Sequence, residues 1–181
     1  DLISLFQQFT IDFPDSKYSI YIEPQIEKII DFHKKAEKEF NNEVHFLANY
    51  DNLNSINECL KPFKGQKVYI DIWATWCGPC KDEFKHSEKL KQLLDSKNVA
   101  MLYISIDRDR ADQIWKDMIK YYNLTGYHVR ANQELNSGLR NMFDRFWVPR
   151  YLLIDEDGVI IDYDAKRPSQ LKELEKQIND K

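Results

Sequence analysis

Residues 73–80 read Trp-Ala-Thr-Trp-Cys-Gly-Pro-Cys, between the strand-like run VYIDI and the charged run KDEFKHSEKLKQLL. Two cysteines stand two residues apart, share a Gly-Pro and lie next to aromatic residues. Such a pair can carry redox chemistry, hold part of a metal site or fill a core. The segment KVYIDIWA is rich in β-branched and aromatic residues with almost no polar break, which predicts a strand covered on both faces. The Gly-Pro then falls at a strand-to-helix turn. Pro79 fits the first helical turn, where its missing N–H is no loss, and the helix is expected to run to about Asp95. A cysteine at that turn meets unpaired backbone N–H groups and the positive end of the helix dipole, which favour an anion. A thiolate at Cys77 is therefore the attacking group. Cys80, almost one turn further on, is placed to attack a mixed disulfide formed at Cys77.

Working outward, residues 1–43 read as a helical extension. Leu2, Leu5, Phe6 and Phe9 share one face of a short helix. Pro14 and an extended-looking YSIYIEP interrupt it, and Pro24 opens a second helix with Ile26, Ile29, Ile30, His33 and Phe40 along its inner stripe. That helix is expected to end at Asn41-Asn42, and packing against the following domain is the role expected of the extension. From residue 44 strands and helices alternate. VHFLA reads as a strand. Ser55 to Glu58 matches a capping box for a short helix stopped by Pro62. VAMLYISID is a second buried strand, ADQIWKDMIKYYN a helix, and residues 135–143 a further helix. WVPRYLLID enters a strand through a proline. DEDG joins it as a hairpin to VIIDYD, and Pro168 starts a terminal helix. This order predicts an α/β sandwich with a mixed sheet over residues 44–181.

The 181 residues carry a formal charge of −4, with acids and bases interspersed and no basic stripe, which argues against nucleic acid as a partner. No apolar run approaches the roughly 18 residues of a membrane span. Three cysteines are too few for a disulfide scaffold, and Cys59, left over, reads as a small buried hydrophobe. A zinc site needs four ligands, and His33, His45, His86 and His128 form no second ligand pair. No metal site is expected, and no phosphate-binding glycine loop points to a nucleotide cofactor.

WATWCGPC resembles the active-site motif of thioredoxin-fold proteins, in the form found in TlpA-like thiol:disulfide oxidoreductases of the AhpC/TSA–thioredoxin superfamily. DIWATWCGPC, YISID, IWKDMIKYYNL, VPRYLLID and DEDGVII occur in that family's order and cover about three quarters of the chain. GQKVYIDIWATWCGPCKDEF and NLTGYHVRAN are similar to exported redox proteins of Bacteroidetes-type bacteria. The resemblance implies a thioredoxin-like three-layer sandwich and a redox-active disulfide, Cys77–Cys80, with no bound cofactor. It also implies a protein disulfide as substrate, an upstream dithiol donor such as a membrane reductase, and a periplasmic or otherwise extracytoplasmic location.

The same resemblance assigns roles residue by residue. Asp71, six residues before Cys77, matches the buried acid that takes the proton of Cys80, the plain alternative being a strand aspartate without a catalytic part. Pro149 matches the family's cis-proline, which leaves Val148 to pair with an extended substrate, the alternative being a trans proline opening an edge strand. Trp76, Gly78 and Pro79 border the substrate, whereas Trp73 belongs to the core. Glu83 reads as a helix-surface glutamate or a support behind the site, and Arg150 as a substrate-charge sensor or a solvated arginine. Two departures are visible. Lys85 stands where relatives have a helix-kinking proline, which predicts a straighter helix, and Tyr103 stands where thioredoxin has a lysine beside its acid. Gly-Pro between the cysteines resembles the reducing end of the family, so reduction of protein disulfides is the expected direction. The rival reading is a binding module whose cysteines are a redox latch or a vestige.

Overall fold

The computed structural model describes residues 1–180 and divides into two units, Asp1–Glu39 and Phe40 onward, a few residues before the expected boundary. In the first unit, α1 spans Leu2–Asp12 and is capped by Asp1, whose carboxylate accepts the Ser4 N–H at 2.9 Å. The Phe6, Phe9 and Phe13 rings contact one another in series, while Leu2 and Leu5 stay exposed. Helix α2 spans Ser19–Ala36 and so differs from the expectation at both ends. Pro24 lies inside it rather than at its start. A turn at residues 16–19 already winds the chain, and the Ile22 N–H bonds to the Tyr18 carbonyl. Proline's fixed φ is helical, so at this early position only the hydrogen bond to Ile20 is lost. Of the expected stripe, Ile26 is buried, Ile29 is half-buried, Ile30 and His33 are exposed, and Phe40 lies beyond the helix.

The second unit is a six-stranded sheet with helices on both faces. Its elements, in chain order, begin with β1 (Val44–Phe46), α3 (Ile56–Leu60) and β2 (Val68–Trp73). They continue with α4 (Gly78–Glu83), α5 (Ser87–Ser96), β3 (Ala100–Ser105), α6 (Asp112–Tyr122) and β4 (Gly126–Arg130). The chain closes with α7 (Gln133–Asn141), β5 (Arg150–Ile154), β6 (Ile160–Asp162) and α8 (Leu171–Asp180). The spatial order is β1-β4-β3-β2-β5-β6. The first four run parallel, whereas β5 is antiparallel to β2 and β6 to β5. The mixed sheet follows from the connections: helices carry the parallel crossovers, and the DEDG turn closes the one hairpin. There the Asp155 carboxylate accepts the N–H groups of Asp157 and Val159, and Gly158 takes φ +84°.

Every residue of β2, β3 and β5 is buried, as the continuous apolar runs predict. Trp73, Tyr103 and His128 face α4–α6, where Phe84 meets Trp73, Tyr103 and Tyr122. Helix α8 packs beside α5 on this layer, and α3 meets α7 on the other. Cys59 is fully buried, and burial pushes its thiol up to about 12, so it is an inert core residue.

The long straight helix expected after the motif is absent. Helix α4 ends at Glu83, residues 84–86 tighten into a 3-10 turn, and α5 begins at Ser87. No proline is needed for this break. Glu83 and Phe84 are consecutive, yet both are buried in different surroundings: Glu83 accepts hydrogen bonds from Ser169, and Phe84 enters the aromatic cluster. Docking both side chains tightens the turn that joins the two helices.

Glycine is required at position 126. Its φ is +130°, and a Cβ there would stand 2.9 Å from the Met101 carbonyl oxygen, in the β-ladder itself. Gly126→Ala is expected to destabilise the fold by about 1–3 kcal/mol. The check is a lower urea midpoint at unchanged m-value.

Candidate active site

Strand β2 delivers the motif to the C-terminal end of the parallel strands. Cys77 is the N-cap of α4, and Cys77 and Cys80 are joined at an S–S distance of 2.05 Å. The Cys77 Sγ accepts the Cys80 N–H at 3.1 Å. Helix α4 has only six residues before the 3-10 turn. Stabilisation of a Cys77 thiolate therefore falls mainly to this hydrogen bond and the neighbouring first-turn N–H groups, rather than to a long macrodipole. Both cysteines are buried, Gly78 and Pro79 are exposed, and Trp76 is 66% exposed beside them. An added Cβ at Gly78 would meet nothing within 4 Å, so packing does not demand glycine there.

Pro149 comes to the same end of the sheet through strand register. Arg150 pairs with Ile72 across the antiparallel β5–β2 ladder, which sets Pro149 level with the end of β2. The Val148–Pro149 peptide bond is cis, Val148 is half-buried and Pro149 is buried. Arg150 is neither solvated nor free to meet a substrate. It is 8% exposed, pairs with Asp164 at 3.3 Å, and its guanidinium lies 4.6 Å from the Phe143 ring centre and 4.3 Å from that of Trp147. Arginine's planar, weakly hydrated head suits such stacking, and here it braces the segment leading into Pro149. Trp147 itself is half exposed next to Val148.

Asp71 lies in the middle of β2, 1% exposed, with its Oδ1 lacking any hydrogen-bond partner. Burial, and then the nearby Glu83 charge, hold its carboxyl well above the usual aspartate range. It is paired in register with Tyr103 on one side and Tyr151 on the other, so aromatic rings occupy the strand positions beside it. Glu83 is not a helix-surface residue. It is buried, and its two oxygens accept the Ser169 N–H at 2.9 Å and the Ser169 hydroxyl at 3.0 Å. These bonds hold α4 to the chain just before α8. His128 stacks on Tyr103 at 5.0 Å and donates from Nε2 to the Leu124 carbonyl at 2.9 Å. Burial drives it down to about 3, so it is neutral.

A second lock escaped the sequence reading. The buried Asp107 carboxylate accepts the Thr75 N–H, the Thr75 hydroxyl and the Ser105 hydroxyl, each at 2.8 Å. It ties the loop before Cys77 to the end of β3. The signal was present as a polar Ser and Asp at the end of an apolar run, and as the Thr within the motif. Their mutual contact requires β2 and β3 to be adjacent.

Cys77 and Cys80 thus sit at the C-terminal end of the strand that carries Asp71, and strand register brings the Val148–Pro149 bond level with that end. The family model Redoxin matches residues 29–178. The chain belongs to the redoxin family. This redoxin is similar to a solved thiol-disulfide oxidoreductase from Bacteroides vulgatus, at 30% identity and a TM-score of 0.57, covering 67% of this chain and 76% of that one. A second such structure from the same organism is 32% identical with a TM-score of 0.54, covering 67% and 82%. Among curated proteins, the thiol-disulfide oxidoreductase ResA of Bacillus thuringiensis is 31% identical over 121 residues, 66% of this chain and 67% of the relative. The fold is thioredoxin-like and the redoxin is an oxidoreductase of thioredoxin type.

The raised pKa of Asp71 makes stability depend on pH. The folded state binds a proton that the unfolded chain releases near pH 4, so this contribution is complete below that pH and is lost as pH rises through the folded pKa. Asp71→Asn is expected to be more stable than wild type at pH 7–8, with an advantage that disappears near pH 4. Each pH unit between the two pKa values is worth about 1.4 kcal/mol. Thermal unfolding of both proteins across that range checks it.

Proposed function

We propose that this redoxin reduces disulfides in protein substrates by dithiol–disulfide exchange. The observation that carries the reading is Cys77 at the N-cap of α4, its sulfur accepting the Cys80 N–H, with Cys80 fully buried behind it. The two sulfurs are thereby unequal: one is placed to attack and the other to resolve. In the reduced protein the Cys77 thiolate attacks one sulfur of the substrate disulfide and expels the other as a thiolate, which takes up a proton. The mixed disulfide lies beside Trp76, Gly78, Pro79, Val148 and Pro149. Cys80 then gives its proton to Asp71 and attacks the Cys77 sulfur. The second substrate sulfur leaves as a thiolate and takes up a proton, Asp71 returns its own to solvent, and Cys77–Cys80 is oxidised.

The carboxylate that accepts this proton is dry, so it is more basic than an aspartate in water and better matched to a thiol. Glu83 adds to that basicity through its charge. An upstream dithiol donor, such as a membrane reductase, restores the pair, and the site is extracytoplasmic in this reading. The Gly-Pro spacer supports the reducing direction, and relatives named thiol-disulfide oxidoreductases support the exchange chemistry. Among the described residues no helix is long and apolar enough to cross a membrane.

Cys77→Ser is expected to abolish turnover of a disulfide substrate, and Cys80→Ser to accumulate a mixed disulfide at Cys77, seen by non-reducing electrophoresis. A mixed disulfide trapped at Cys80 in the Cys77→Ser variant, with none in Cys80→Ser, would reverse the assigned order. Asp71→Asn should slow release from the mixed disulfide by about a hundredfold, the lower end of the usual range of general acid–base catalysis. A stopped-flow measurement gives that rate. The redox potential should lie near the thioredoxin value of about −270 mV, and a value near about −120 mV would mark an oxidant instead.

A further inference from the structure

A cavity of about 970 Å³ opens beside Trp76. Three chain segments line it: the motif loop, the loop after β3, and α7 with the two residues before it, from Ala131 to Arg140. All three follow the C-terminal ends of adjacent parallel strands, β2, β3 and β4, where open α/β sheets place their ligands. Arg108, Arg110 and Arg140 contribute exposed side chains to it. The acids in the wall are already engaged. Asp109 pairs with Arg130, and Asp107 is held by Thr75 and Ser105. Arg108 and Arg110 form no ion pair among the described residues, and Arg140 lies over the Phe146 ring at 5.0 Å with its Nε on Asn136. A cation-rich wall thus stands directly beside the exposed tryptophan that precedes Cys77.

We propose that this cavity receives an acidic segment of the polypeptide whose disulfide meets Cys77. The proposal rests on the reductase reading above and adds a class of substrate to it. Small-molecule pockets are typically enclosed and mostly apolar, whereas this wall is polar over about half of its surface and its arginines are open to solvent. Exposed guanidinium–carboxylate pairs are individually weak. Three of them aimed at one stretch of chain steer encounter and set register, and so select one client over another. Anchoring the flank of a client in this way holds its disulfide over Cys77 without using any group of the reacting pair.

Two synthetic peptides test it, each closed by one internal disulfide and identical except for flanking aspartates in one and asparagines in the other. At low salt the wild type should reduce the aspartate peptide with a kcat/KM about tenfold higher, as expected for a few exposed charge pairs. The advantage should shrink at high ionic strength. The R108Q/R110Q/R140Q variant should lose the preference yet reduce the asparagine peptide at the wild-type rate, with an unchanged unfolding midpoint. Any single replacement, such as Arg110→Gln, should lower the preference in part. A cysteine-free aspartate peptide should bind the oxidised wild type more tightly than the variant, read by fluorescence anisotropy. That measurement stands apart from turnover: binding without reduction of either peptide would sink the reductase reading and leave the docking site. Equal handling of the two peptides by the wild type overturns the proposal. So does an equal loss on both peptides in the variant, or a matching arginine dependence for oxidised glutathione alone.

Discussion

The structure depends on the burial of one strand. β2 has neighbours on both edges and helices over both faces, and all six of its residues are out of solvent. Its ladder to β3 fixes where the chain can leave the sheet, and its ladder to β5 sets the level of Pro149. The motif is therefore held at the sheet end by strand pairing before any residue of the motif itself makes a contact. The same burial places a carboxylate, Asp71, where its charge is unwelcome. Stability and reactivity are thus linked in one residue, because the cost of keeping that acid dry is what raises its basicity.

Around this strand the polar side chains act as ties between elements. Asp107 joins the loop before Cys77 to β3, Glu83 joins α4 to Ser169, and Arg150 braces residues 143–147. Each is a charged group buried with partners, which is how such groups persist inside a fold. The redox pair and its surroundings are consequently positioned from three sides. The first turn of α4 need not be long to be effective, since the Cys80 N–H reaches the Cys77 sulfur directly.

Much of this architecture could be read from local pattern. The buried strands announced themselves through continuous apolar runs, the DEDG hairpin through its turn residues, and the short helix at Ser55 through its cap. Ser55 accepts the Glu58 N–H, although the Glu58 carboxylate turns to the Asn54 N–H and not to that of Ser55. The failures came where tertiary contacts overrode a local rule. Pro24 suits a helix start by local rule yet is interior, and Lys85 in place of a proline favours a straight helix where Glu83 and Phe84 instead impose a turn. Glu83 and Arg150 fit the surface by local rule, because a charged residue is usually outside, and only packing decides what surrounds them.

The sequence by itself determined the alternation of elements, the placement of two cysteines at a strand-to-helix turn, and the isolation of Cys59 in apolar surroundings. These follow from periodicity and from the conformational limits of glycine and proline, which act over a few residues. Tertiary structure decided which distant residues meet: Asp107 with Thr75, Glu83 with Ser169, and the loop after β3 with α7 around the arginine-lined cavity. Those contacts join positions tens of residues apart, through strand order and layer packing. No local propensity encodes that order, because a strand has the same pattern whichever neighbour it finally pairs with.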